Sequence, residues 1–171
     1  MLKAINDLRP FFEDNYRRIN VREYARIQKI STPTASNLLE SYRKNRIVSM
    51  EKDRKYHFYF ANKDNDIFID LSRIYWKVAM EKIGLLKELE KQFLFPVLIL
   101  FGSLAKAEAK KDSDIDIAVF SVSNKKIDFS FYEKKLRRKI QIFTFKNRDI
   151  AENNHELLNN ILNGYKISGG W

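Results

Sequence analysis

The chain has no cysteine, which excludes a disulfide scaffold and any cysteine-based zinc site. It has two histidines, His57 and His155, too few for a histidine metal cluster. No apolar run approaches the roughly 20 residues a membrane span requires. No signal-peptide pattern opens the chain. We therefore expect a soluble protein with no membrane partner and a cytoplasmic location.

What is present is a basic chain with enough apolar residues to fold. A hydrophobic fraction of 44% with 13% aromatics is enough for packed cores and argues against global disorder. Its 171 residues allow one ordinary domain or two small ones. The net charge of +10 and a pI near 9.7 point to polyanionic partners. The surplus is uneven: residues 1–60 hold thirteen Lys/Arg against seven Asp/Glu.

The most informative stretch is residues 96–120, PVLILFGSLAKAEAKKDSDIDIAVF. The run 97–101 has the length and branched content of a buried strand. It breaks at Gly102-Ser103, and residues 104–111, rich in Ala, Lys and Glu, favour a helix. Ser113 leads into a second strand over 114–120. Alternation there sets Asp114 and Asp116 on one face and Ile115 and Ile117 on the other. Two carboxylates about 7 Å apart on one strand face repel unless a cation lies between them. Mg²⁺ is the hard ion that suits paired carboxylates and phosphate oxygens.

Gly102-Ser103, ten residues, then Asp114-x-Asp116 resembles the signature of the DNA polymerase β-like nucleotidyltransferases, in particular their minimal forms. The resemblance implies that Gly102, Ser103, Lys106 and Ser113 meet a nucleoside triphosphate, with ATP first among the candidates. It implies that Asp114 and Asp116 hold Mg²⁺ or Mn²⁺, and that a nucleoside monophosphate passes to a hydroxyl. Glycine at the strand end lets backbone N–H groups approach a phosphate, and a helix start after it favours an anion. Two departures from the pattern are visible. Lys106-Ala107 stands where Arg-Gly is usual, and Gln141 stands where a third carboxylate is usual. An amide offers a neutral carbonyl oxygen to a metal but is no base. Asp128 and Asp149 are the nearest substitutes, and neither lies on the strand face by this reading.

Residues 1–63 suggest a separate domain. Apolar positions Leu2, Ile5, Leu8 and Phe12 mark a first helix and residues 18–21 a short strand. Residues 22–29 mark a second helix and 33–44 a third. Ser31 or Thr32 is the N-cap of the third, with Pro33 at its first position. Residues 47–50 and 56–60 read as strands joined by 51–55. This order, over IQKISTPTASNLLESYRKNRIVSMEKDRKYHFYF, resembles a winged helix-turn-helix. The resemblance implies double-stranded DNA as partner. Thr32, Thr34, Ser36 and Asn37 would face base edges, and Arg43, Lys44, Lys52, Arg54 and Lys55 would meet phosphates. A homodimer on a palindrome is the natural form. Such modules also serve as protein-interaction units, and Ser/Thr/Asn at a helix start also cap.

Residues 64–93 read as a connecting helix or helices, split or bent at Gly84. Tyr75 and Trp76 on it would pack against the winged helix or a second subunit, or form the core of the next domain. Residues 94–171 read as a nucleotidyltransferase-like domain. It would add a basic helix over 129–138, a strand over 139–145, a turn of helix over 148–151, a helix over 153–162 closed by Asn163-Gly164, and a tail. Arg137, Arg138 and Lys139 read as a solvated face, with lining of the cleft as the alternative, and His155 as a capping or solvated residue at a helix start, with contact to substrate or nucleotide as the alternative. The fold class is a two-domain α+β and α/β chain whose second domain has a short mixed sheet flanked by helices. Two functions follow. One is an Mg²⁺-dependent transferase acting on a hydroxyl, for which the resemblance to minimal relatives that act as antitoxins implies a toxin-like protein as acceptor. The other is a DNA-binding regulator whose C-terminal domain senses a nucleotide without turnover.

Overall fold

The structure is a computed structural model that describes residues 2–123, 126–146 and 154–170. The chain divides into two compact units, Met1–Ser72 with Ala107–Lys111, and Arg73–Lys106 with Asp112–Trp171.

The first unit runs α1 (Leu2–Glu13), β1 (Ile19–Asn20), α2 (Val21–Gln28), α3 (Thr32–Lys44), β2 (Val48–Asp53) and β3 (Tyr56–Ala61). Its sheet has the order β1-β3-β2, antiparallel throughout. Helical spacing puts Ile5, Leu8, Phe11 and Phe12 of α1 into the core, where Phe11 stacks on Tyr24 of α2. Asn20 caps α2 by accepting from the Glu23 N–H, and Ser31 caps α3 by accepting from the Thr34 N–H. Two side-chain bonds fasten α3. Tyr42 donates to Asp7 Oδ2 at 2.9 Å and Tyr59 donates to Glu40 Oε1 at 2.5 Å. The hairpin is tighter than the five-residue connection expected from sequence. Asp53 pairs with Tyr56, so only Arg54 and Lys55 turn the chain, with Arg54 at φ 54°. The strands extend over charged residues because the backbone ladder, not the side chains, holds a solvent-facing hairpin.

The second unit contributes β4 (Val97–Phe101), α6 (Gly102–Ala105), β5 (Ile115–Phe120), α7 (Ser130–Leu136), β6 (Ile140–Phe145), α8 (His155–Leu162) and β7 (Tyr165–Ser168). Ahead of these lie α4 (Asp66–Lys82), which the unit boundary divides, and α5 (Leu85–Gln92), separated at Gly84 with φ 82°. The four-stranded sheet has the order β6-β5-β4-β7 and is mixed: β4 pairs antiparallel with β5 and β7, and β5 pairs parallel with β6. On one face Val97, Ile99, Phe101 and Ala118 pack with Ile161 of α8, flanked by Phe120, Phe143, Phe145 and Leu157. Every residue of β4 is buried, as expected of a strand covered on both sides.

Two expectations are corrected here. The residues read as a tail form β7, a strand whose four-residue alternation is too short to stand out in sequence. The expected closure of α8 at Asn163-Gly164 is present, with Asn163 as its cap, and a Cβ on Gly164 would meet Ile99 Cγ2 at 2.6 Å and Leu100 O at 2.7 Å. Glycine is needed there for close approach to β4. The Ala/Lys/Glu run does not make a helix over 104–111. After the four residues of α6, Ala107 lies at φ 54°, Ala109 O accepts from the Asn15 N–H, and the Ala109 N–H donates to Asn15 Oδ1. Tertiary pairing overrides propensity in this segment. Residues 148–151, with Asp149, lie outside the described residues.

Candidate functional site

One strand face changes character along its length and so creates the site. On β5, Phe120 and Ala118 belong to the apolar cluster under α8, and Asp116 is next on the same face. Asp116 stands opposite Phe101 of β4 and opposite Gln141 of β6. Asp114 precedes the strand and continues the row. The carboxylate row thus begins where the apolar cover ends.

Gly102 follows Phe101 and turns the chain at φ 69°, a conformation open to glycine. A Cβ there would come within 2.5 Å of Asp116 Oδ2. The absence of a side chain is what lets the carboxylate lie against the turn. Burial, and then the neighbouring charge of Asp114, push the Asp116 carboxyl above its ordinary value. Gln141 Nε2 donates to Asp114 Oδ2 at 2.5 Å. Ser103 and Ser113 are half-buried on the two segments that bracket the pair. Lys106 caps α6 and is exposed, its ammonium donating to Asn160 Oδ1 of α8 at 2.6 Å. An ammonium has three donors, so one amide does not exhaust it.

The expected helix dipole behind the turn is not available. α6 has four residues, too few aligned peptides for a substantial macrodipole. An anion here would be met by N–H groups of the turn and by side chains.

Three contributors were not read from sequence. Arg138, expected on a solvated face, is 7% exposed. It donates to Ser113 O at 2.5 Å, and its guanidinium lies 4.7 Å from the ring centroid of Trp76, itself buried on α4. It thereby fixes the residue before Asp114. Arg73 donates to Ala105 O at 2.7 Å and secures the end of α6. Asn160 orients Lys106. The run Arg137-Arg138-Lys139 gives no hint of which member turns inward, but the left-handed Arg137, at φ 55°, reverses the chain there. Asp128 accepts from both the N–H and the hydroxyl of Ser130 and lies ahead of α7. His57 and His155 are exposed.

In the first unit, Thr32, Thr34 and Asn37 are exposed in the opening turns of α3, with Ser36 partly covered. Thr34 Oγ1 lies 2.7 Å from Ser31 Oγ, so its hydroxyl takes part in the cap. Arg43 and Lys44 are exposed at the far end, Arg43 paired with Glu40 at 2.9 Å. Lys52, Arg54 and Lys55 are exposed on the hairpin. Arg18 pairs with Glu51 at its side, so part of the basic surplus is neutralised.

No helix among the described residues is long and apolar enough to cross a membrane. No curated protein and no solved structure matches the chain. Residues 84–167, which carry the Gly-Ser turn, both aspartates and Gln141, match the family model described as Polymerase beta, Nucleotidyltransferase, and this stretch has the mixed sheet and flanking helices of such a fold.

Proposed function

We propose that the second unit transfers a nucleoside monophosphate, AMP in the first instance, from a triphosphate to an acceptor hydroxyl. The observation that carries this reading is the placement of the Asp116 carboxylate against the Gly102 turn, with Asp114 next on the same face. Among the described residues no group of three or more His, Cys, Asp or Glu forms a metal site by itself. Two carboxylates nonetheless fit Mg²⁺ or Mn²⁺, because such an ion commonly takes one or two protein carboxylates and completes its shell with substrate phosphates and water. Burial, and then the charge of Asp114, pushes Asp116 upward, and a cation would relieve the second of these. When bound, the ion supplies charge neutralisation at the phosphates. Asp114 and Asp116 would hold it, the Gly102-Ser103 backbone would approach phosphate oxygens, and Lys106 would add a point charge steadied by Asn160. The acceptor oxygen forms a bond to the α-phosphorus, the bond from that phosphorus to the bridging oxygen breaks, pyrophosphate leaves, and the hydroxyl proton passes to solvent.

The first unit would act as a winged helix-turn-helix on duplex DNA. The Thr32, Thr34, Ser36 and Asn37 end of α3 would face base edges, and Arg43, Lys44, Lys52, Arg54 and Lys55 would face phosphates. We place the chain in the cytoplasm as a homodimer, with a toxin-like protein hydroxyl as acceptor. A second reading, a nucleotide sensor without turnover, draws support from Gln141, which supplies no base beside the pair.

Transfer of label from α-labelled ATP by the native chain, lost in Asp114→Ala/Asp116→Ala, supports the enzyme. Mg²⁺-dependent ATP binding without transfer supports the sensor. Absence of both removes the nucleotide reading. Duplex binding should weaken steeply with salt, and Lys52→Ala/Arg54→Ala/Lys55→Ala should flatten the slope. Affinity indifferent to salt would remove the DNA reading.

A further inference from the structure

We propose that Gln141 is a positioning residue that holds Asp114 and limits the carboxylate pair to a single divalent cation. This rests on the nucleotidyl-transfer reading of the same site.

The register fixes where Gln141 stands. In the parallel ladder it is the partner of Asp116, on the same sheet face, on the edge strand β6. Its Nε2 reaches Asp114 Oδ2 at 2.5 Å. An ionised carboxylate accepts hydrogen bonds and donates none, so the amide must present its NH₂ to Asp114. Its carbonyl oxygen, the one atom that could ligate a cation, is then on the other side of the amide. Gln141 therefore gives the pair a donor and no ligand, and it commits one Asp114 oxygen.

Charge sets the capacity. Asp114 and Asp116 together carry two negative charges, which match one divalent ion. A second ion would have to enter without a further carboxylate from the described residues to meet it. Asp128 does not fill that place, being tied to Ser130. Among the described residues no cluster of three or more acidic, His or Cys groups exists.

The amide differs from a carboxylate of the same shape by one atom. Gln141→Glu would turn a donor into an acceptor, free the Asp114 oxygen and add a third negative charge. Gln141→Met keeps the length and removes the donor without changing the charge.

Electron paramagnetic resonance counts free Mn²⁺ during titration of the full chain. Asp114→Ala/Asp116→Ala serves as the blank. The native chain should bind one Mn²⁺ above the blank. Gln141→Glu should bind two, the first at least about tenfold tighter than native, as an added charge at contact distance allows. Gln141→Met should keep one Mn²⁺ with several-fold weaker affinity, because Asp114 is no longer held. Two ions on the native chain, or one ion at native affinity on a Gln141→Glu chain with native circular dichroism, overturns the capacity argument. Native affinity in Gln141→Met overturns the positioning role. In these cases the nucleotidyl-transfer reading survives as long as the blank still loses the ion. A native chain that binds no more Mn²⁺ than the blank overturns both.

Discussion

Gly102→Ala tests whether the Asp116 carboxylate is held against the turn. Two costs arise. Alanine at φ 69° occupies the left-handed region, roughly 1–2 kcal/mol for a residue with a Cβ. The new methyl would stand 2.5 Å from Asp116 Oδ2, so the side chain must leave its rotamer, about 0.5–1.5 kcal/mol. A fall of about 2–3 kcal/mol lowers a urea midpoint by roughly 1 M at ordinary slopes. Gly84→Ala is the control. Gly84 also has a positive φ, 82°, but an added Cβ meets nothing within 4 Å, so it should lose only about 1 kcal/mol. Mn²⁺ binding separates the two further. Moving one carboxylate of a pair out of line forfeits a charge-assisted contact of about 1.5–3 kcal/mol, ten- to a hundredfold in affinity. Gly84→Ala should bind as the native chain does. Equal Mn²⁺ affinity in the two variants would refute the placement of Asp116 on which the site is built.

The remaining predictions concern the framework. Arg138→Met keeps most of the side-chain volume but loses the bond to Ser113 O and the contact with Trp76; by chemical denaturation it should cost roughly 2–4 kcal/mol. Asn15→Ala removes a buried amide that donates to Phe11 O at 2.8 Å and accepts from Ala109 N–H at 2.6 Å. Two orphaned buried groups should cost about 2–4 kcal/mol, and an unchanged midpoint would contradict the pairing. The Tyr59 hydroxyl above all, then Arg43, holds the Glu40 carboxyl below its ordinary 4.5, against a smaller opposing effect of burial. A depressed folded value contributes stability above the unfolded value and loses it as pH falls from about 4.5 through the folded one. Tyr59→Phe should therefore flatten the acid limb of the stability profile in that window.

Much of the fold was legible because it depends on local chemistry. The Ser31-Thr32-Pro33 start of α3, Gly84 between α4 and α5, and the run 97–101 as a fully buried strand follow from caps, backbone freedom and hydrophobic pattern. The failures share a cause. The segment after α6 has helix-forming residues, yet Ala109 pairs with Asn15, ninety-four positions away. β7 is a strand because β4 leaves an edge open to it, a fact about the sheet that four residues cannot announce. Gly164 closes α8 as expected, but what requires glycine there is a neighbour, Ile99, that lies sixty-five positions earlier.

The site divides along the same line. Asp114 and Asp116 were readable as a pair because strand alternation is a local rule, and Gln141 as their neighbour because three strand patterns could be set side by side. What the amide does there was not readable, since composition shows a neutral residue and only the register shows a donor aimed at Asp114. Arg138 illustrates the reverse error. Three consecutive cations suggest a solvated face, but a residue at a left-handed turn can send its successor inward, and an aromatic ring with an accepting carbonyl makes burial of a guanidinium tolerable. The charges that decide this site are therefore not those that dominate the composition. A chain with a surplus of ten positive charges builds its candidate centre on two negative ones, while Lys106 donates to Asn160 Oδ1 and Arg138 to Ser113 O. Gln141, which donates to Asp114, is neutral, and burial and then the charge of Asp114 push the Asp116 carboxyl upward; a divalent cation on the pair would relieve the second of these effects.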